Sequence, residues 1–226
     1  MGDFVVYRQN KTSKQQHDAM LTTLSRQGSQ KPHIIKDDSY NILIFPKSLS
    51  PVQNFIENKN GDYCCSSGCF FYKGQNGTQA LDLFLQDFNP EKYTSLKFIG
   101  IFTLIIKKQN RLFIISDPLG ASRIFHNLDQ TLWSSSFLAM AENINILSPD
   151  TQGIYEYIFQ ETNYGSTTPF NEIKLADSLC YFELKPDGIQ KHQKNVPVGF
   201  ELSSSSFDEL IEEHSSLLKN QMHAVI

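Results

Sequence analysis

The residues best suited to nucleophilic chemistry are the four cysteines, Cys64, Cys65, Cys69 and Cys180. A thiol attacks only as its thiolate, so it needs an electropositive, partly open setting. Cys64 and Cys65 are neighbours in a run of strand character and must face opposite sides of it. All four are expected to be reduced core thiols, too few for a disulfide scaffold in a chain of 226 residues. The six histidines are dispersed. With no Cys-x-x-Cys or His-x-x-x-His pair for a metal, no metal site is expected. His126 and His214 fall on partly apolar faces and suit rim positions better than a general base. Asp117 opens an Asp-Pro-Leu-Gly turn, where a carboxylate normally caps its own backbone. The serines at 203–206 lack the Gly-x-Ser-x-Gly elbow that makes serine a nucleophile, so they form a linker.

The composition sets the frame for these residues. Hydrophobic residues make up 40% and charged residues 19%, with 17 Phe, which implies a folded, sheet-rich chain rather than a disordered one. A net charge of -4 and scattered lysines give no overall attraction to nucleic acid or anionic lipid. The longest apolar run, 98–106, carries Gly100 and Thr103 and is far shorter than the roughly 20 residues that cross a bilayer. Position 6 is Val, which fails the myristoylation pattern, and no charged segment precedes an apolar leader, so a cytoplasmic location is expected. The sequons at Asn10 and Asn76 are without consequence unless the chain is secreted. No internal repeat of 20–50 residues is visible.

Several elements must position these groups. Residues 4–7 predict a strand close to the first residue, and 9–32 a polar surface excursion with a weak helix around Ala19–Leu24 that ends at Gly28. A buried strand is expected at 40–45, a loop at 54–62, and a strand at 63–73 with Gly68 inside it, where an interior glycine marks a bulge or a close backbone approach. Apolar spacing at Ala80, Leu81, Phe84, Leu85 and Phe88 predicts an amphipathic helix over 78–88. A hairpin of 96–106 and 112–116 follows, then short strands around Asp129-Gln130 and a helix after Trp133, itself expected in the core. Residues 154–159 suggest another amphipathic helix, and 178–184 with 188–193 a second hairpin. Ser206-Phe207-Asp208-Glu209 is a capping box that opens a helix with Phe207, Leu210, Ile211, His214, Leu217 and Leu218 on one face.

Four stretches, in order, resemble the N-terminal class II glutamine amidotransferase domain of the asparagine synthetase family, the N-terminal-nucleophile (Ntn) type. Phe98-Ile-Gly-Ile-Phe102 is similar to the family's F-x-G-x-F-A strand, and the segment from Arg111 through Asp117 and Gly120 to Phe125 to its L-x-x-x-R-D-x-x-G-x-x-P-L-Y-Y signature. Trp133-Ser-Ser-Ser-Phe137 resembles F-A-S-E-x-K-A, and the stretch from Gly165 through Phe170 to Leu175 resembles T-x-F-x-x-I-x-x-L. Ser116 stands where Arg is usual, and Ala121-Ser122-Arg123 where Pro often follows. The resemblance implies an α+β fold, a four-layer αββα sandwich of two mainly antiparallel sheets, over 1–200, with 201–226 as linker and first helix of an ATP-pyrophosphatase (synthetase) domain. That domain would need ATP and Mg, and no cofactor is implied for this chain itself.

In that family the nucleophile is a cysteine at position 2, freed when Met1 is removed, whose thiolate attacks the glutamine amide. Position 2 here is Gly2, which has no side chain to form the thioester. By the same resemblance the oxyanion-stabilising Asn-Gly pair falls on Ser67-Gly68, the acid that holds the substrate ammonium on or near Gly77, and the carboxylate-clamping guanidinium on Lys47. A lysine is a point charge and does not reproduce a bidentate fork. Autoprocessing before Cys64, Cys65 or Cys69 would create a new N-terminal thiol but would strip two strands from the sheet, so structural cysteine is the better account.

The implied function is a catalytically degenerate glutaminase-like domain, a pseudoenzyme, of an asparagine-synthetase-like ATP-dependent amide ligase, as in β-lactam synthetase, whose N-terminal domain also lacks the cysteine. Its partner would be the synthetase domain in cis, or another protein, through the 207–222 helix. Two alternatives stay open: a stand-alone interaction or ligand-binding protein on the same fold, and an active amidotransferase with another nucleophile.

Overall fold

The computed structural model describes residues 3–27, 30–46, 54–91, 98–194 and 205–225. The first strand, β1 (Phe4–Arg8), alternates as a strand between two layers must: Phe4 and Val6 face one core, Val5 and Tyr7 another. The helix α1 (Lys14–Arg26) follows. Its start is fixed by a capping box in which the Ser13 hydroxyl accepts from the Gln16 amide and the Gln16 side chain accepts from the Ser13 amide. The segment expected to be a surface excursion thus carries three and a half turns of helix, and it buries Met20, Thr23 and Leu24. Gly28, its expected end, lies outside the described residues.

The chain continues through β2 (His33–Lys36), β3 (Tyr40–Ile44), β4 (Phe55–Glu57) and β5 (Tyr63–Gly68). β4 is an edge strand where a loop was expected, and β2 an edge strand in a stretch given no expectation; both are short and little buried, so their apolar pattern is weak. Next come β6 (Phe71–Tyr72), β7 (Gln75–Asn76), α2 (Gly77–Asp87), β8 (Phe98–Ile99), β9 (Phe102–Lys108) and β10 (Arg111–Ser116). The stretches expected as single strands at 63–73 and 96–106 are therefore each broken in two. The breaks fall at Gly68 and Gly100, both at positive φ, where the chain leaves the β5–β9 pairing and re-pairs as β6 with β8.

The remaining elements are β11 (Phe125–Asn127), β12 (Leu132–Ser134), α3 (Phe137–Asn143), α4 (Thr151–Gln160), β13 (Ile173–Leu175), β14 (Cys180–Lys185), β15 (Gly188–Gln193) and α5 (Phe207–Val225). Side chains start three of the last helices: Ser136 accepts from the Ala139 amide, Asp150 from the Gly153 amide, and Ser206 from the Glu209 amide. The Glu209 carboxylate returns the bond to the Ser206 amide at 2.7 Å, so the capping box forms as expected.

Two six-stranded antiparallel sheets carry the fold, in the orders β13-β11-β12-β1-β3-β2 and β15-β14-β10-β9-β5-β4. Between them lies a core in which Phe4, Val6, Ile42, Ile44 and Trp133 meet Cys65, Ile105, Ile114, Phe182 and Leu184. Trp133 is fully buried, as expected of a core tryptophan, and its indole N–H donates to the Gln130 carbonyl at 2.9 Å. α1 and α3 cover the outer face of the first sheet, and α2 covers that of the second through Ala80, Leu81, Phe84 and Leu85. The architecture is the four-layer αββα sandwich. Each aromatic side chain such as Phe84, at the centre of a cluster of Phe70, Tyr72, Phe88 and Phe98, contributes about 1.5–3 kcal/mol by burial.

Candidate functional site

One end of the sandwich holds Ser67 and Gly68, two of the residues that the resemblance singles out. β1 begins there, and Asp3 is tied down on both sides: its carbonyl accepts from the Phe45 amide at 2.8 Å and its carboxylate from the Ser135 hydroxyl at 3.0 Å. The Phe4 amide donates to the same Ser135 oxygen at 3.0 Å, while the Ser134 hydroxyl donates to the Phe4 carbonyl at 3.1 Å. The start of β1 is thus held as firmly as its middle. Asn54 joins this end to the second sheet: its amide nitrogen donates to the Ser66 carbonyl at 3.0 Å and, at the edge of hydrogen-bond range, to that of Phe45 at 3.4 Å. The ends of β3 and β5 therefore lie together beside the start of β1.

Ser67 and Gly68 close β5 at this end. Ser67 is buried and pairs with Thr103, which pairs in turn with Ser116. The alternation that turns Cys65, Ile105 and Ile114 toward the inter-sheet core turns Ser67, Thr103 and Ser116 to the same side. The apolar layer between the sheets thus ends in a row of buried hydroxyls on three adjacent strands. Thr103 shares a hydrogen bond of 2.8 Å with Ser122. Ser116 accepts from the ammonium of Lys194 at 2.6 Å, and that ammonium also donates to the carbonyls of Asp117 at 2.7 Å and Ser178 at 2.8 Å. Burial lowers the Lys194 pKa to about 8, against the pull of Asp117, Cys180 and Asp177. With three oxygen acceptors at its three N–H groups, Lys194 is satisfied as a cation at neutral pH.

Gly68 has φ +96, and a Cβ there would stand 2.3 Å from the Ile101 carbonyl oxygen, so the position requires glycine. This is the close backbone approach expected of it. Gly77 starts α2 at φ +56, one residue after Asn76, which pairs with Phe71; it offers no carboxylate for an ammonium group. Gly2 and Lys47, the other two residues the resemblance points to, lie outside the described residues.

Cys64, Cys65 and Cys180 are buried and free, and burial raises all three thiol pKa values, which leaves them protonated and unreactive. Cys69 corrects the expectation of four core thiols: it is exposed, because the break after Gly68 carries it off the sheet. Asp117 caps its own turn as expected, its carboxylate accepting from the Ala121 amide at 3.0 Å and the Ser122 amide at 2.7 Å. His126 is half-buried against Trp133, and burial lowers its pKa; His214 is exposed on α5. Among the described residues, no three His, Cys, Asp or Glu side chains gather at metal-binding range, and no helix is long and apolar enough to cross a membrane.

Lys194 and the hydroxyl row escape a reading by motif. The only signal in the sequence is that Ser67, Thr103 and Ser116 each occupy the inward register of a strand whose other inward positions are apolar.

No family model and no curated protein matches the sequence. Among solved structures, the glutamine phosphoribosylpyrophosphate amidotransferase from B. subtilis, complexed with ADP and GMP, superposes with a TM-score of 0.53 over 91% of this chain at 9% identity. A structure described as the allosteric regulatory enzyme of purine biosynthesis superposes with a TM-score of 0.55 over 88% of this chain, also at 9% identity. The chain spans about half the length of each, 50% in both cases. At this identity what is shared is architecture, the Ntn-hydrolase-like αββα fold.

Proposed function

We propose that this chain is a catalytically degenerate glutaminase-like domain of an asparagine-synthetase-like ATP-dependent amide ligase, which scaffolds or binds and does not hydrolyse glutamine. The observation that carries the reading is the conjunction of an amidotransferase-like fold with glycine at residue 2, two positions ahead of β1. Hydrolysis of glutamine on this fold begins with a thiolate at that residue, and loss of a catalytic nucleophile costs on the order of a million-fold in turnover. The replacement of the oxyanion Asn by Ser67 and the missing carboxylate at Gly77 support the same reading. ATP and Mg would belong to a synthetase domain, of which α5 would be the first helix. The reading is tested by ammonia release from glutamine. The purified chain is expected to release none above buffer, and G2C with S67N to gain a slow, thiol-dependent activity. Ammonia release by the unmodified chain that a glutamine-analogue thiol trap abolishes would overturn it.

A second reading, a stand-alone interaction module on the same fold, is favoured by α5 itself, on which Phe207, Ile211, Leu218 and Met222 are exposed. It predicts binding of a partner with no synthetase activity in the assembly.

A further inference from the structure

A cleft of about 360 Å³ opens on the outer side of the first sheet. It is at the small end of ligand pockets, which run about 300–1,000 Å³. Its walls are Phe125 of β11, Phe137 of α3, Leu175 of β13 and Tyr157 of α4, with Arg123 among its lining residues. The far wall is held rigidly. Gly153 brings α4 so close to the 162–169 segment that a Cβ there would meet the Thr168 carbonyl oxygen at 2.3 Å. The Asn163 side chain donates to the Gly153 carbonyl at 2.6 Å, and Thr168 donates to the Ile173 carbonyl at 2.8 Å.

The chemistry is set by Arg123. It makes no ion pair or hydrogen bond with any other described residue, although carboxylates lie on the segments around it. Each of those is already committed: Asp117 to the amides of its own turn, Asp177 to Lys191 at 2.6 Å, and Glu156 to the Tyr164 amide and Thr167 hydroxyl at 3.0 Å. A guanidinium with no anion among the described residues, beside a mainly apolar cleft with three aromatic walls, matches a molecule with a flat apolar body and one carboxylate, which the guanidinium fork grips in two places. We propose that the cleft between β11, β13 and α4 binds a small aromatic carboxylate through Arg123.

The proposal is independent of glutaminase chemistry and is tested with 2-naphthoate as probe and 2-naphthalenemethanol as its uncharged counterpart, titrated into the full chain by calorimetry. Saturable one-to-one binding of 2-naphthoate is expected with a Kd below about 1 mM. Arg123→Gln, at an exposed position, should weaken 2-naphthoate about tenfold or more and leave the alcohol unchanged. Tyr157→Ala should weaken both probes. Binding that does not saturate, or an equal affinity of the unmodified chain and R123Q for 2-naphthoate, overturns the proposal.

Discussion

Gly68 and Gly100 stand on either side of one backbone crossing: a Cβ on Gly68 would meet the Ile101 carbonyl oxygen at 2.3 Å, and a Cβ on Gly100 the Cys69 carbonyl oxygen at 2.0 Å. Between them the Cys69 amide donates to the Ile101 carbonyl at 2.8 Å. The two chains that leave the second sheet together therefore touch where both lack a side chain. Either alanine substitution must break this contact as well as force an L-residue into positive φ, and a loss of about 3 kcal/mol or more is expected for G68A and for G100A. Gly74, also at positive φ but with open space around it, provides the control: G74A should cost only about 1 kcal/mol. Urea unfolding of the three variants checks the ranking, and an equal cost for all three would contradict it.

The crossing also shows how far the sequence was legible. Gly68 marked where something had to approach the backbone closely, but that its neighbour across the crossing is the segment of Gly100 is a tertiary fact that no local pattern contains. Long amphipathic segments such as α2 declared themselves through Leu81, Phe84 and Leu85, whereas β2 and β4, edge strands with few buried residues, did not. α1 was legible only in part, because three buried residues in thirteen make a faint stripe. At the candidate site, the close approach at Gly68 was legible from its place inside a strand, while Ser67 is singled out by resemblance alone. Lys194 was not, since its burial depends on three oxygens brought together from Ser116, Asp117 and Ser178.

Thiol reactivity follows from burial. Cys69 is exposed, whereas Cys64, Cys65 and Cys180 are buried with raised pKa values. One thiol per folded chain should react rapidly with Ellman's reagent, and all four only after denaturation. C69S should abolish the fast phase, and a fast phase that survives the substitution would show one of the other three to be open.

Glu183 is nearly buried and takes a bidentate pair from Arg111 at 2.8 and 2.9 Å, with the His192 ring at 3.1 Å. The Arg111 hydrogen bonds hold the Glu183 pKa below the ordinary value. A lowered carboxylate pKa adds stability that is present above the unfolded-state value, about 4.3, and is lost as pH falls through the folded one. Arg111 is partly exposed, so R111M should cost about 1–3 kcal/mol at pH 7. The cost should shrink as the pH drops below about 4. A cost independent of pH would assign the effect to the stacking of Arg111 on Phe113 rather than to its charge.

Lys194 works in the opposite sense. Its pKa is about 8 in the folded chain, against about 10.4 for an exposed lysine. Between these values the unfolded chain binds a proton that the folded chain has shed, so this group's contribution to stability rises with pH across that window. Below it the folded state carries the cost of a buried charge, partly offset by the hydrogen bonds to Ser116, Asp117 and Ser178. Other groups oppose the trend in the same range, since the thiols of Cys64 and Cys65 and the phenol of Tyr63 ionise more easily once unfolded. The lysine is therefore isolated by difference. The stability of the native chain minus that of K194M should increase between pH 8 and pH 10.4, by about 3 kcal/mol at most, as measured by urea unfolding at each pH. A flat difference would mean that the three oxygens keep Lys194 charged throughout, and that its burial is fully compensated.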